Sequence, residues 1–203
     1  MFKSPYEDCN NDNELVQRIA GGDAMAFQVL FERLSGGVYK LCYSLLLDQQ
    51  MAEDATQETF VKLWKHAAEW KPDAIVKTWL LRVARNHCLD ALRKKKNDFK
   101  KSHELYKDHL TSSQNRPKNA VETSIDHKKH ANIIKNALFA LPERQREAIT
   151  LVYYNEVRNL EAADIMGLQP SAFDSLLARA RRTLRDTLGE EQDDLKGYFY
   201  GSE

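Results

Sequence analysis

Glycine and proline are scarce in this 203-residue chain, at 8 and 5 residues. β-Sandwiches and barrels need turn signals about every 8–12 residues, so the shortage excludes them and leaves a mostly helical protein. Cysteine is rarer still. Cys9, Cys42 and Cys88 lie far apart with no CxxC pair, which excludes a disulfide framework, fits a reducing compartment and leaves buried or idle thiols as the expectation. No uncharged apolar run approaches the roughly 18 residues that cross a bilayer, so no membrane insertion is expected. The opening residues, MFKSPYEDCNND, are polar and acidic rather than a signal peptide, and a cytoplasmic location follows. Signatures of chemistry are missing as well: there is no P-loop, GxGxxG, HExxH or GxSxG, and no Cys/His cluster. His127 and His130, three apart, lack further ligands and read as solvated. Glu143 and Glu147 read as ordinary surface carboxylates. These absences argue against an enzyme, a metal site, a cofactor and a small-molecule substrate.

What is present is helical patterning and charge. Thirty basic and thirty acidic side chains cancel, so net charge alone points to no polyanionic partner. Apolar residues make up 42% and charged residues 30%, enough for a core beneath an unusually charged surface. Amphipathic helices are expected near 13–20, 24–46, 49–68 and 74–95, with Asp23 and Asp48 as N-caps and the glycine pairs 21–22 and 36–37 at ends or bends. Residues 97–120 lose the periodicity and mix Ser, Asn, Lys and Pro, the composition of a flexible linker. Helices resume near 122–140, 142–154, 159–166 and 170–187, with Pro142 suited to a first helical position. Residues 189–203 carry five acids against Lys196 and read as a solvated acidic tail. The fold class is therefore all-α: two small helical domains, 12–96 and 121–188, joined by a flexible linker, the second containing a helix-turn-helix.

Charge is unevenly placed. Residues 82–101 hold eight basic residues against Asp90 and Asp98. Helical spacing puts Thr78, Arg82, Arg85, Asn86, Leu89 and Arg93 on one side and Leu80, Val83, Ala84, His87 and Ala91 on the other. Guanidinium groups along a helix suit phosphate and an amide suits base edges; Trp70, in the preceding loop, suits stacking on unpaired bases. A solvated basic face, with Trp70 and Trp79 as core anchors, is the competing reading. In 159–185 a helix ends before Gly167 and another opens at Pro170, a helix-turn-helix pattern. There Phe173, Leu177, Ala180 and Leu184 form the buried stripe, while Ser171, Ser175, Arg182 and Arg185 point outward with Arg179 and Arg181 on the flanks; an ordinary helical hairpin is the alternative. Asp48, Glu53, Asp54 and Glu58 precede the first base, Lys62. With Ala52, Ala55, Thr59, Phe60 and Leu63 packed inward, Asp54, Gln57, Glu58 and Val61 are presented either to a protein partner or simply to solvent.

In this order the segments resemble a bacterial sigma-70-family factor of the small extracytoplasmic-function type, over about 12–96 and 121–188. NELVQRIAGGDAMAFQVLFERL is similar to the start of the family's promoter-melting domain, EDATQETFVKLWKHA to its polymerase-binding helix and TWLLRVARNHCLDALRKKK to its −10 element helix. LPERQREAITLVYYNEVRNLEAADIMGLQPSAFDSLLARARRTL is similar to its −35 binding domain. The resemblance implies core RNA polymerase, promoter DNA and an anti-sigma factor as partners. It implies that Asp54, Gln57, Glu58 and Val61 meet the clamp helices of the largest polymerase subunit, with the flap as a further contact. The loop bounded by Trp70 and Lys77 would hold a flipped base, with Thr78, Arg82, Arg85, Asn86 and Arg93 gripping the strand. Ser171, Ser175, Arg179, Arg182 and Arg185 would read the −35 element. Asp174 and Leu176 stand where many members carry basic residues. An acid near phosphate opposes binding, so this departure implies an altered sequence preference, with Arg179, Arg181, Arg182 and Arg185 as compensation. The rival of another class is a sigma-like decoy that sequesters an anti-sigma factor without touching DNA; a nucleic-acid enzyme lacks every catalytic constellation.

Overall fold

The computed structural model describes residues 11–71, 75–105 and 134–188, with side chains as far as Lys96 in the second stretch. No strand occurs among them. Helix α1 (Asp12–Ala20) opens under Asn11, whose side chain accepts from the Asn13 amide at 3.0 Å, and buries Leu15, Val16 and Ile19. Gly22, at φ 85°, turns the chain into α2 (Ala24–Leu46). Asp23 caps α2 through the amides of Met25 and Ala26, at 3.0 and 3.1 Å, and Asp48 caps α3 (Gln49–His66) through Met51 at 2.9 Å. Both caps are those the sequence marks.

α2 is the central strut of the first bundle, burying Ala26, Leu30, Leu34, Val38, Leu41, Cys42 and Leu45 at three- and four-residue intervals. Against it α3 sets Ala52, Ala55, Thr56, Thr59, Phe60 and Leu63. The two threonine hydroxyls donate to the carbonyls of Ala52 and Ala55, each at 2.7 Å, so no polar group is left unpaired there. Phe60 meets Phe31 edge-on at 4.8 Å. The helix expected to reach residue 68 tightens instead into a 3₁₀ turn, Ala67–Glu69.

Helix α4 (Val76–Leu105) departs further from expectation. It continues nine residues past Lys96 into the segment read as linker, because NDFKKSHEL contains neither glycine nor proline and is rich in residues that favour helix. The linker beyond Leu105, the acidic tail 189–203, His127, His130, Cys9 and the first part of the helix expected over 122–140 lie outside the described residues.

The second bundle comprises α5 (134–140), α6 (Glu143–Ile149), a π-turn (Thr150–Tyr154), α7 (Asn159–Met166) and α8 (Pro170–Leu188). Pro142 is the N-cap of α6 and not its first residue: its carbonyl accepts from Gln145 and Arg146 at 2.9 and 3.0 Å. The helix expected over 142–154 widens at Thr150, where the Asn155 amide reaches the carbonyl five residues back at 3.0 Å. The wide turn keeps both Thr150 and Leu151 buried. Between α7 and α8, Gly167 takes the left-handed conformation at φ 63°, and the Leu168 amide closes the turn on the Ala163 carbonyl at 2.8 Å. Phe173, Leu177, Ala180 and Leu184 are the buried stripe of α8, as the periodicity predicts.

The two bundles share one continuous apolar core. α2 and α4 meet α6, the π-turn and α7. Gly36 and Gly37, expected at an end or bend, lie inside an unbroken α2; a Cβ at Gly37 would run into the side-chain oxygen of Asn155. This glycine serves close approach.

Two stability changes follow. Phe60→Ala should cost about 3–5 kcal/mol through the cavity it leaves, whereas Asp23→Ala should cost about 1 kcal/mol through the lost cap. Urea unfolding followed by circular dichroism measures both, and equal losses would contradict this division.

Candidate nucleic-acid interface

On α3, Asp54, Gln57, Glu58 and Val61 are all exposed, one helical face apart from the buried seam. Val61 is 43% exposed, and three residues on Trp64 continues the strip at 41%, its ring edge-on to Phe27 at 5.3 Å. Trp64 was not singled out by the sequence reading; its i+3 spacing from Val61 was the signal that marked it. A groove of about 530 Å³ separates this strip from α4, lined by Asp54 and Glu58 on one wall and His87, Asp90, Arg93 and Lys94 on the other.

On α4, Leu80, Leu81, Ala84 and Cys88 face the core, and Asn86 and Arg93 face solvent. Arg93 pairs with Asp90 at 3.0 Å. Lys77 and Thr78 are half-buried at the head of the helix. Trp70 is half-buried and fixed: its indole N–H donates to Asn13 at 2.8 Å, and its ring meets Trp79 edge-on at 5.5 Å. It is anchored like a core residue, which limits the stacking surface expected of it. Cys42 and Cys88 are buried opposite one another in α2 and α4; the hydrogen bond from Cys42 and burial both push the Cys88 thiol up. Both are buried, as the sequence leads one to expect, and the hydrogen bond with Cys88 draws the Cys42 thiol down.

Two arginines of the α4 face reach carboxylates of the second bundle, Arg82 while exposed and Arg85 while half-buried. Arg82 pairs with Asp164 of α7, and Arg85 pairs with Glu147 of α6. Glu147, read from the sequence as a surface carboxylate, is 1% exposed, because the α6 surface that would meet water in an isolated domain lies against α4. Burial pushes its carboxyl above the ordinary range; Arg85 and Arg144 pull it back and Glu143 adds to the rise. Beside it Arg146, 5% exposed, donates to the carbonyl of Ser44 at the end of α2, to Leu141 at 2.9 Å and to Phe139 at 3.3 Å.

On α8, Ser171, Ser175, Arg179, Arg182 and Arg185 are exposed on one side of the helix. Ser175 donates to the Ser171 carbonyl at 2.9 Å and Arg179 to the Ser175 carbonyl at 3.2 Å, while Arg181 lies over the Tyr153 ring at 5.6 Å. Asp174 accepts from the Asn159 side chain at 3.0 Å, tying α8 to the start of α7, and Leu176 is half-buried. Each of the two departures from the resemblance thus has a structural use.

Comparison with known proteins matches residues 30–97 to Sigma-70 region 2 and residues 131–184 to Sigma-70, region 4. The ECF RNA polymerase sigma factor SigM of Bacillus subtilis is 31% identical over 161 residues, spanning 79% of this chain and 94% of that one. This chain belongs to the ECF RNA polymerase sigma factors. The sigma factor is also 27% identical over 176 residues to SigW of the same organism, covering 85% of this chain and 94% of that one. The structure of the sigma factor RpoE with the anti-sigma factor NepR from Bartonella quintana matches with a TM-score of 0.64 at 26% identity, over 81% of this chain and 98% of that one. The sigma factor binds core RNA polymerase and directs initiation at promoters, with regions 2 and 4 as its DNA-facing modules.

The position of Glu147 sets a pH dependence. Its carboxyl binds a proton more tightly in this arrangement than it would in water, so protonation and the contact between the bundles favour one another. Closure is therefore fully favoured below the ordinary carboxylate range and weakens as pH rises from that range through the raised value. Small-angle scattering across this range should show the particle expanding as pH rises. Glu147→Gln, which still accepts from Arg85, should flatten the slope; a slope retained in that variant assigns it to another group.

Proposed function

We propose that the division of labour within this sigma factor follows its three outward faces. The α3 strip of Asp54, Gln57, Glu58 and Val61 binds the clamp helices of core polymerase: it is acidic and apolar at once, repels nucleic acid and suits a protein groove. The α4 face contacts the −10 element, with Arg82, Arg85 and Arg93 on phosphates, Asn86 on a base edge, and Trp70, Lys77 and Thr78 framing the loop for an unstacked base. Ser171, Ser175, Arg179, Arg182 and Arg185 of α8 enter the groove of the −35 element. The observation that carries this reading is the separation of an acidic-apolar face from two basic faces within a chain of zero net charge.

The first domain runs from residue 12 to the end of α4 at Leu105, and a linker, a second domain ending at 188 and an acidic tail follow. The factor acts in the bacterial cytoplasm and contributes recognition and strand opening rather than chemistry of its own. Unstacking costs a few kcal/mol, offset by new contacts. An anti-sigma factor controls it, as in the solved complex of the Bartonella protein with NepR. The decoy reading is not favoured, since the exposed arginines of α8 and the basic half of α4 have no use in a chain that only captures an inhibitor.

Run-off transcription on a genomic promoter library, with core polymerase, tests the assignment. The factor should yield discrete transcripts sharing two upstream elements. Reversing charge at Arg82 and Arg93 should abolish promoter binding and leave core binding intact, whereas Asp54→Arg with Glu58→Arg should weaken core binding about tenfold or more, as for close interfacial charges. Loss of both activities in the arginine variant would refute the separation of roles.

A further inference from the structure

A buried charge is normally paired, because an ion taken out of water without a counter-charge is strongly disfavoured. Arg146, 5% exposed, departs from that rule among the described residues. Its guanidinium donates to the carbonyls of Ser44, Leu141 and Phe139 and to no carboxylate; Glu143, exposed to water, acts on it only through space. Beside it lies a cavity of about 180 Å³ between α2 on one side and α5, α6 and the π-turn on the other. The walls are aromatic: Tyr43 stacks on Tyr39 with ring centres 6.0 Å apart and meets Phe139 edge-on at 5.5 Å. Two exposed ammonium groups stand over these rings, Lys40 at 5.6 Å from the Tyr154 centre and Lys135 at 5.5 and 5.6 Å from those of Tyr43 and Phe139. We propose that this cavity binds a small aromatic carboxylate, with its ring against Tyr43, Phe139 and Tyr154 and its charge balanced by Lys40, Lys135 and Arg146.

Size sets the first limit on the ligand. Drug-sized molecules occupy about 300–1,000 Å³, whereas an apolar cavity of about 150 Å³ accepts a benzene ring; the space here takes one ring with a short substituent and is too small for a nucleotide. Charge sets the second. No acidic side chain lines the cavity among the described residues, and the hydroxyls of Ser44 and Thr150 donate to the carbonyls of Leu41 and Arg146 at 2.8 and 2.9 Å. Donors for an anion therefore come from the cations. An ammonium has three donors and a ring face takes up one direction, so each lysine can keep its ring and also receive a carboxylate oxygen. The stacked and edge-on rings set the third limit, since they suit a planar group better than an aliphatic chain. The ligand touches α2 through Tyr43 and Lys40 and the second bundle through Phe139 and Arg146, so its binding stabilises the chain as a whole.

The test uses the full chain, with benzoate as the probe in calorimetric titration. Benzyl alcohol supplies the ring without the charge, and acetate the charge without the ring. Benzoate should bind at about millimolar or tighter and raise the thermal unfolding midpoint as its concentration rises; the other two should bind about tenfold more weakly or less. Lys40→Gln and Lys135→Gln, at exposed positions that leave the core intact, should each weaken benzoate about tenfold, the loss of one charge-assisted hydrogen bond. Tyr154→Ala should weaken it without changing any charge. Lys65→Gln, the same change of charge in the last turn of α3 and outside the cavity, should leave the affinity as it was. Absence of benzoate binding would overturn the proposal. So would benzyl alcohol or acetate binding as tightly as benzoate, which leaves a merely apolar or merely cationic surface, or an affinity that Lys65→Gln lowers as much as the two cavity lysines do.

Discussion

A guanidinium buried between two helical bundles must find acceptors, and the choice it makes sets the arrangement of everything around it. Arg146 donates to carbonyls on both sides: Leu141 and Phe139 in its own bundle, Ser44 at the end of α2 in the other. A buried donor left unpaired costs about 1–3 kcal/mol, and more when charged, so the second bundle is held in register on α2. Burial lowers the guanidinium's affinity for its proton, with Glu143 opposing, and the group remains a donor throughout the physiological range. From that register follow the others. Asn155 falls against Gly37, Phe139 meets Tyr43 edge-on at 5.5 Å, and α6 brings Glu147 to Arg85.

The pair Arg85–Glu147 is the costly member of this set. Removing two charges from water is repaid only by good geometry, and a neutral packing of similar shape is often as stable. The raised Glu147 carboxyl is the sign of that cost. A contact of this kind is a poor way to maximise stability.

Much of the scaffold was legible in the sequence because it depends on neighbours within a few positions. Asp23 and Asp48 cap the helices they precede, Gly167 makes the turn before α8, and Phe173, Leu177, Ala180 and Leu184 bury at helical spacing. The exposed strip of Asp54, Gln57, Glu58 and Val61 came from the same periodicity, and Trp64 was missed only because the strip was stopped one turn early. What sequence reasoning could not reach depends on contacts between distant positions. Glu147 belongs to a short helix in which Arg146, Glu147, Ala148 and Ile149 are all buried, a pattern that no single amphipathic face predicts, and it becomes intelligible only when a second bundle covers the other side. Gly37 looked like a break and is a cleared space. α4 overran its expected end because polar composition was read as linker, although lysine and glutamate favour helix once a preceding turn is formed.

The same distinction between local and distant contacts applies to the two DNA-facing helices. Each DNA-facing helix buries its own apolar stripe, Leu80, Leu81, Ala84 and Cys88 on α4 and Phe173, Leu177, Ala180 and Leu184 on α8, within the core that the bundles share. The arrangement is decided elsewhere, by the apolar core that the bundles share and the polar pairs around it. Asp174 belongs to the same logic from the other side. Bound to Asn159 at the start of α7, it ties the two helices of the helix-turn-helix together, while the arginines further along α8 stay exposed.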